Sequence, residues 1–303
     1  MTQALQQQSW MFGKIKNNLP SKSGFSDIYI SLGYLTKKEE VYNLESFIGL
    51  SAPTEARATA EFLWEPRVGN NNHYTIFSGI SAGFKVWSTC SSSIYYQIDT
   101  MGTMYIENTQ TRSFDLKAKP WSRYMWVYLD NKSTTTSPGI NVFTRPLQVS
   151  QGTARDLNTA FILKTDLGFE AEAGYHFFSR QAEDVRLTHK WVKGPAIAAI
   201  TKDGKFTLGQ VSRNNATINQ YTGIANDTVN GVEVYKEINE SDLDLESASH
   251  PALISHILYG SVAWHWDNIN HPKYTGLGVS YEFSARNNAL HKWMAWAKFG
   301  IQF

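Results

Sequence analysis

At 303 residues and 42% hydrophobic content, the chain carries too much apolar surface to be a disordered protein. Lys plus Arg number 28 against 27 Asp plus Glu, so no basic excess exists to steer it onto a nucleic acid, and none is expected as a partner. Its single cysteine, Cys90, excludes an internal disulfide, a thiolate zinc cluster and a Cys-x-x-Cys redox pair.

Along the chain, helical periodicity rarely lasts two turns, whereas period-two alternation recurs throughout. Strands are expected near 8–18 and 25–35, the second placing Ile28, Ile30, Leu32 and Tyr34 opposite Asp27, Tyr29, Ser31 and Gly33. Next come 41–51 and 55–65, where Ala58, Ala60, Phe62 and Trp64 oppose Arg57, Thr59, Glu61 and Glu65. Further strands are expected near 73–87, 92–107, 121–131, 156–165 and 168–180. In the last of these Phe169, Ala171, Ala173, Tyr175 and Phe177 oppose Glu170, Glu172, Gly174 and His176. The series closes with 253–266, 274–286 and 290–303. Long excursions fall at 132–155 and 181–252. The second carries "SDLDLESA", which has the Ser cap and Glu spacing of a short helix, and "GVEVYKEI", which reads as a further hairpin.

Alternation alone does not separate a soluble sandwich from a membrane barrel, since one turns its apolar face inward and the other outward. Length separates them. Runs of ten to fourteen residues exceed the roughly five or six of ordinary strands and match what a tilted strand needs to cross a bilayer. With an even count and both chain ends on one side, every long excursion falls on the opposite side. No apolar run approaches the roughly 18 residues of a spanning helix. The start, "MTQALQQQSW", has neither the charged opening nor the apolar run of a secretory signal, so the expectation is either a protein that never leaves the cytoplasm or, on a membrane reading, a mature form.

The final stretch, "HKWMAWAKFGIQF", puts Trp293, Ala295, Ala297, Phe299, Ile301 and Phe303 on one face and Lys292, Met294, Trp296, Lys298, Gly300 and Gln302 on the other. This terminal pattern resembles the last strand of bacterial outer-membrane β-barrel proteins, the porin-like family. The resemblance is close over the last strand and architectural elsewhere. It implies an all-β, up-and-down antiparallel transmembrane barrel of about twelve strands, fourteen with the extra hairpin, as a single domain over 1–303. It also implies residence in the bacterial outer membrane, recognition of the last strand by the barrel-assembly machinery, and a lipid bilayer and small solutes as partners. Oligomers occur in such families.

On that topology the pore-lining residues are Asp27, Glu45, Arg57, Glu61, Lys85, Lys164, Glu170, Glu172, His176, Arg180, Glu282, Arg286, Lys292 and Lys298. The lipid-facing ones are Ala171, Phe177, Leu277, Phe283, Trp293, Phe299, Ile301 and Phe303. Charges of both signs across a narrow lumen filter solutes, so passive diffusion of small solutes is the expected function, with 181–252 as gate or constriction. The alternatives are a non-conducting structural or receptor barrel with ligand-binding outer loops, and a lipid-modifying barrel hydrolase. A hydrolase fares worst, because Ser179 and His176 point to opposite faces of one strand. No enzyme activity, cofactor or metal is expected: the eight His show no His-Glu-x-x-His spacing and no glycine-rich phosphate loop is present.

Overall fold

The computed structural model describes residues 9–15, 21–38, 41–55, 57–129, 136–200, 224–225, 235–266, 272–285 and 291–301. Among them the chain is all-β, and its main feature is an antiparallel sheet of nine strands hydrogen-bonded in simple chain order. These are β1 (Ile28–Lys38), β2 (Tyr42–Ala52), β3 (Thr75–Ser88), β4 (Ser92–Tyr105), β5 (Ala154–Thr165), β6 (Phe169–Arg180), β7 (Leu253–Trp266), β8 (Lys273–Ser284) and β9 (Lys292–Ile301). Strands β1 and β9 are the sheet's edges and are not paired with each other, so the described strands form an open meander and not a closed ring.

Connections sort by end. The links β1–β2, β3–β4, β5–β6 and β7–β8 are short, at 39–41, 89–91, 166–168 and 267–272. The links at 53–74, 106–153 and 181–252 all emerge from the opposite end, as does 285–291. One-sidedness of the long excursions thus matches expectation. The even count does not, because β1 starts and β9 starts at the excursion end.

Three expected strands are absent from the sheet, each for a local reason. Within 55–65, Ala60 adopts φ +59° and the Glu65 carboxylate takes the Thr59 and Ala60 backbone N–H groups, so the chain loops where alanine-rich alternation imitated a strand. At 121–131, Trp121 takes φ +66° and starts a 3₁₀ turn, Ser122–Tyr124, leaving only the short strand Trp126–Tyr128. In 8–18, Trp10 is buried against Tyr124 and Ile140 at the excursion end. Within its described part, 9–15, a single bridge from Lys14 to Phe62 is the only strand-like pairing.

The three long excursions pack together into a cap. Its sheets are short: Asn108–Ser113, Thr144–Gln151 and Glu183–Leu187 form one, and Trp126–Tyr128, Thr136–Pro138 and Ala196–Ile200 belong to another. The 132–155 excursion is thus the second half of a longer structured one. "SDLDLESA" forms two 3₁₀ turns, Glu240–Asp242 and Leu245–Ala248, and Tyr235–Glu237 of "GVEVYKEI" pairs with Ala196–Ile200. Residues 201–223 and 226–234 of the expected gate lie outside the described residues.

Among the described residues, most of the buried apolar side chains lie in this cap. Phe114, Val127, Phe143, Leu147 and Val149 are fully enclosed there, whereas the large sheet contributes few buried apolar side chains, chiefly Phe77, Ala82, Ala154 and Ala160. Beside that core, Arg112 donates from Nη1 and Nη2 to the two oxygens of Glu183 at 2.6 and 3.1 Å, and the His250 backbone N–H donates to Oε2 at 2.8 Å. Burial alone would raise the Glu183 carboxyl, but the hydrogen bonds from His250 and Arg112, with their charges, outweigh it and hold the group well below the usual carboxylate range. His73, fully buried, shares Nδ1–H with the Ile106 carbonyl at 2.8 Å and accepts from the Gln110 amide at Nε2, an arrangement that only a neutral ring satisfies. Desolvation accordingly lowers its pKa.

Candidate functional site

Register carries side-chain facing from strand to strand, because directly opposed residues share a face. One face collects Ile30, Leu50, Ile76, Met104 and Leu157, then Phe177, Leu258, Val279 and Ala295. Among the described residues it carries no Asp or Glu; Lys37, Arg155 and Lys273 sit at strand ends, and His256, opposite Phe177 and Phe283, is hydrogen-bonded to the Tyr175 hydroxyl at 2.7 Å. The other face collects Glu45, Lys85, Asp99, Asp156, Lys164, Glu170, Glu172, His176, Arg180, His265, Glu282, Lys292 and Lys298.

Exposure then runs opposite to that of a water-soluble sheet. Leu277 is 63% exposed, Val279 62%, Phe299 68% and Trp293 78%, all on the apolar face. On β3 the apolar-face positions Ile76, Ile80 and Phe84 are exposed, whereas Thr75, Phe77, Gly79, Ser81 and Gly83 of the polar face are buried or half-buried. The sheltered side is the ionisable one.

Each lipid-facing candidate within the described residues, Ala171, Phe177, Leu277, Phe283, Trp293, Phe299 and Ile301, lies on the apolar face. Phe303 lies outside the described residues. Of the pore-lining candidates, Glu45, Lys85, Lys164, Glu170, Glu172, His176, Arg180, Glu282, Lys292 and Lys298 lie on the polar face, and Asp27 immediately precedes β1. Arg57 and Glu61 are corrections: both belong to the cap, where Arg57 donates to Asn72 Oδ1 and Glu61 pairs with Lys14 at 3.3 Å. Arg286 lies outside the described residues. Trp87, which strict alternation from Lys85 would put on the polar face, stands on the apolar face because a bulge between Lys85 and Trp87 shifts the parity by one residue.

The polar face is cross-linked by a band of hydrogen bonds running from β3 to β9. Ser81 donates to Asp99 Oδ1 at 2.5 Å, and Gln97 donates to Asp99 Oδ2 at 3.0 Å. The Tyr259 hydroxyl lies 3.0 Å from Asn158 Oδ1 and 3.1 Å from Glu172 Oε1. His176 Nε2 lies 2.9 Å from Asp156 Oδ1, while Ser179 occupies the other face. Glu282 accepts from Ser255 at 2.6 Å and pairs with Lys292 at 2.8 Å. A groove of about 600 Å³ opens between His176, Tyr259, Glu282, Lys292, Trp296 and Lys298. Neither a protein-family model nor a curated protein matches this chain.

Glycines give this face its smoothness. Gly49, Gly79, Gly174, Gly278 and Gly300 each sit directly opposite an aromatic, respectively Phe77, Phe47, Tyr259, Trp296 and Tyr274, whose ring lies where a Cβ would stand. Gly278→Val should displace Trp296 and lower stability by about 1–3 kcal/mol, measurable as an earlier midpoint in urea titration followed by Trp fluorescence. An unchanged midpoint would mean that the ring moves aside freely.

Asp99, Asp156, Asn158, Tyr259 and Ser255 were not among the sequence candidates. Alternation in β4 and β7 is blurred by Tyr95, Met101 and Ile257 on the polar face, and only the register from cleaner neighbours reveals the facing.

Proposed function

We propose that the nine-stranded sheet is embedded in the bacterial outer membrane as the wall of a β-barrel, and that small solutes diffuse along its polar face in a porin-like channel. The observation that carries this reading is the inverted exposure of the two faces. A contiguous apolar face of this extent far exceeds the patches a soluble monomer leaves in water. Acyl chains are the solvent that suits it.

Dimensions support the same reading. Strands of 10 residues (β9) to 14 residues (β3) extend roughly 33 to 46 Å, and a tilt of about 40° reduces this to roughly 25–35 Å, enough to span an outer-membrane apolar band of about 25 Å. Aromatic residues mark both rims of the apolar face, with Trp264, Trp266 and Phe299 towards the short turns and Tyr281, Phe283 and Trp293 towards the cap. Ring closure would satisfy the edges of β1 and β9, which hydrocarbon otherwise penalises heavily. The assignment to the outer membrane of bacteria, and to its barrel-assembly machinery, follows the terminal-strand resemblance.

Conductance should be small, since a ring near eight strands is largely filled by its own side chains. A cap with its own core favours a second reading, a ligand-binding barrel that does not conduct. Reconstitution into planar bilayers, with electrophoresis of boiled and unboiled samples, tests both. Stepwise currents together with a heat-dependent mobility shift are expected. A shift without currents would leave the receptor reading in place, and a protein that stays dispersed without detergent and runs identically in both samples would remove the membrane assignment.

A further inference from the structure

A second cavity, of about 740 Å³, lies in the cap, away from the polar-face groove. Its walls come from the 53–74 excursion, from the Asn108–Ser113 strand and the Ser122–Tyr124 turn, and from residues just before β7. Arg180, at the last position of β6, closes it on the sheet side.

Four guanidinium groups reach this wall, and their partners divide them into two pairs. Arg112 is neutralised by Glu183, and Arg123 by Asp115 at 2.8 Å. Arg67 donates to the Asn71 side chain at 2.7 Å and has no ion-pair partner among the described residues. The Arg180 side chain makes neither a hydrogen bond nor an ion pair with a described residue, and its Nε is buried without an acceptor. The hydroxyl of Tyr124, a residue only 3% exposed, is likewise buried without a partner. The acid on the wall, Glu65, is already engaged with the Thr59 and Ala60 backbone. Surplus cations and unused donors therefore converge on a space large enough for a small molecule.

The lining also includes apolar side chains, Phe62, Leu63 and the 69%-exposed Trp64. A purely inorganic anion would leave these unused. We propose that the cap cavity binds a small organic anion, its carboxylate held by Arg180 and Arg67 with help from the Tyr124 hydroxyl, and its apolar body laid against Phe62 and Trp64. Planar guanidinium forks suit a carboxylate in geometry as well as charge. The site is independent of whether the sheet conducts.

Calorimetric titration of the full chain in detergent micelles with sodium benzoate tests this. Benzyl alcohol serves as the uncharged homologue and inorganic phosphate as the anion without a body. Saturable benzoate binding is expected, with both comparators at least tenfold weaker. Arg180→Gln and Arg67→Gln should each weaken benzoate at least tenfold, Arg180→Lys less than Arg180→Gln, and Trp64→Ala should weaken benzoate severalfold while leaving phosphate unchanged. Heat-dependent mobility of each variant reports whether it folds. Absence of saturable benzoate heat, benzyl alcohol binding as tightly as benzoate, or full affinity in both arginine variants would overturn the site. Phosphate binding as tightly as benzoate would overturn its organic half. Conductance measured separately isolates this result from the channel reading: loss of current with intact benzoate binding counts against the channel alone.

Discussion

Val279→Lys should lower the stability of the reconstituted protein by about 2–4 kcal/mol, whereas Ser280→Lys, one residue along the same strand, should change it by about 0.5 kcal/mol or less. Val279 stands mid-strand in β8 on the apolar face, between Gly260 and Ala295, and is 62% exposed. In water a lysine at so open a position would be nearly free of consequence. In hydrocarbon its ammonium loses hydration with no compensating partner, and only snorkelling to a rim relieves it. Ser280 belongs to the polar face, in the groove that contains Glu282, so an added cation there meets water and a carboxylate. Urea titration in liposomes, read by heat-dependent mobility, measures both variants. Equal, small effects would mean that the apolar face does not meet lipid.

The second large effect concerns the cap. Glu183→Ala should destabilise it by about 3–5 kcal/mol, because the Arg112 guanidinium, 6% exposed, would remain buried without its counter-charge. Replacing both together, Arg112→Met with Glu183→Leu, should recover much of that loss, since a packed apolar pair needs no compensation. Limited proteolysis of the cap, with the sheet's heat resistance followed in parallel, separates local from global unfolding. Acid should act through the same residues. Both His73 and Glu183 have folded pKa values below their unfolded ones, so the unfolded chain takes up their protons first. The stability each supplies is complete above its unfolded pKa and is lost as pH falls. For His73 the loss begins near about 6.5, and for Glu183 near about 4.3. Cap proteolysis that fails to accelerate between neutral pH and pH 4 would contradict the buried neutral His73.

Legibility in the sequence followed locality. Strands such as β8 and β9 alternate cleanly because each residue's environment is decided by one parity, and the facing of Leu277, Phe299, Glu282 and Lys298 could be read without knowing any partner. Where apolar residues occupy both faces, as Ile94, Tyr95 and Tyr96 do in β4, parity no longer decides, and Asp99 went unrecognised. The cap was hidden for a different reason. Its defining pair, Arg112 and Glu183, lies 71 positions apart in the chain, and its loops are shaped by side chains capping backbone, as Glu65 does for Thr59 and Ala60. No periodicity encodes such contacts. The alternation in 55–65 arose from small residues that tolerate a loop as readily as a strand.

The odd number of strands constrains any cylinder built from this sheet. Because β1 and β9 travel in the same direction, a seam joining them would be a parallel ladder, with slanted hydrogen bonds and slightly weaker pairing than the eight antiparallel ladders around it. Such a seam would be the cylinder's weakest staves and the first to part under denaturant. An antiparallel seam would instead require an odd number of additional strands, from elsewhere in the chain or from another molecule, inserted between Ile30 on one side and Phe299 on the other.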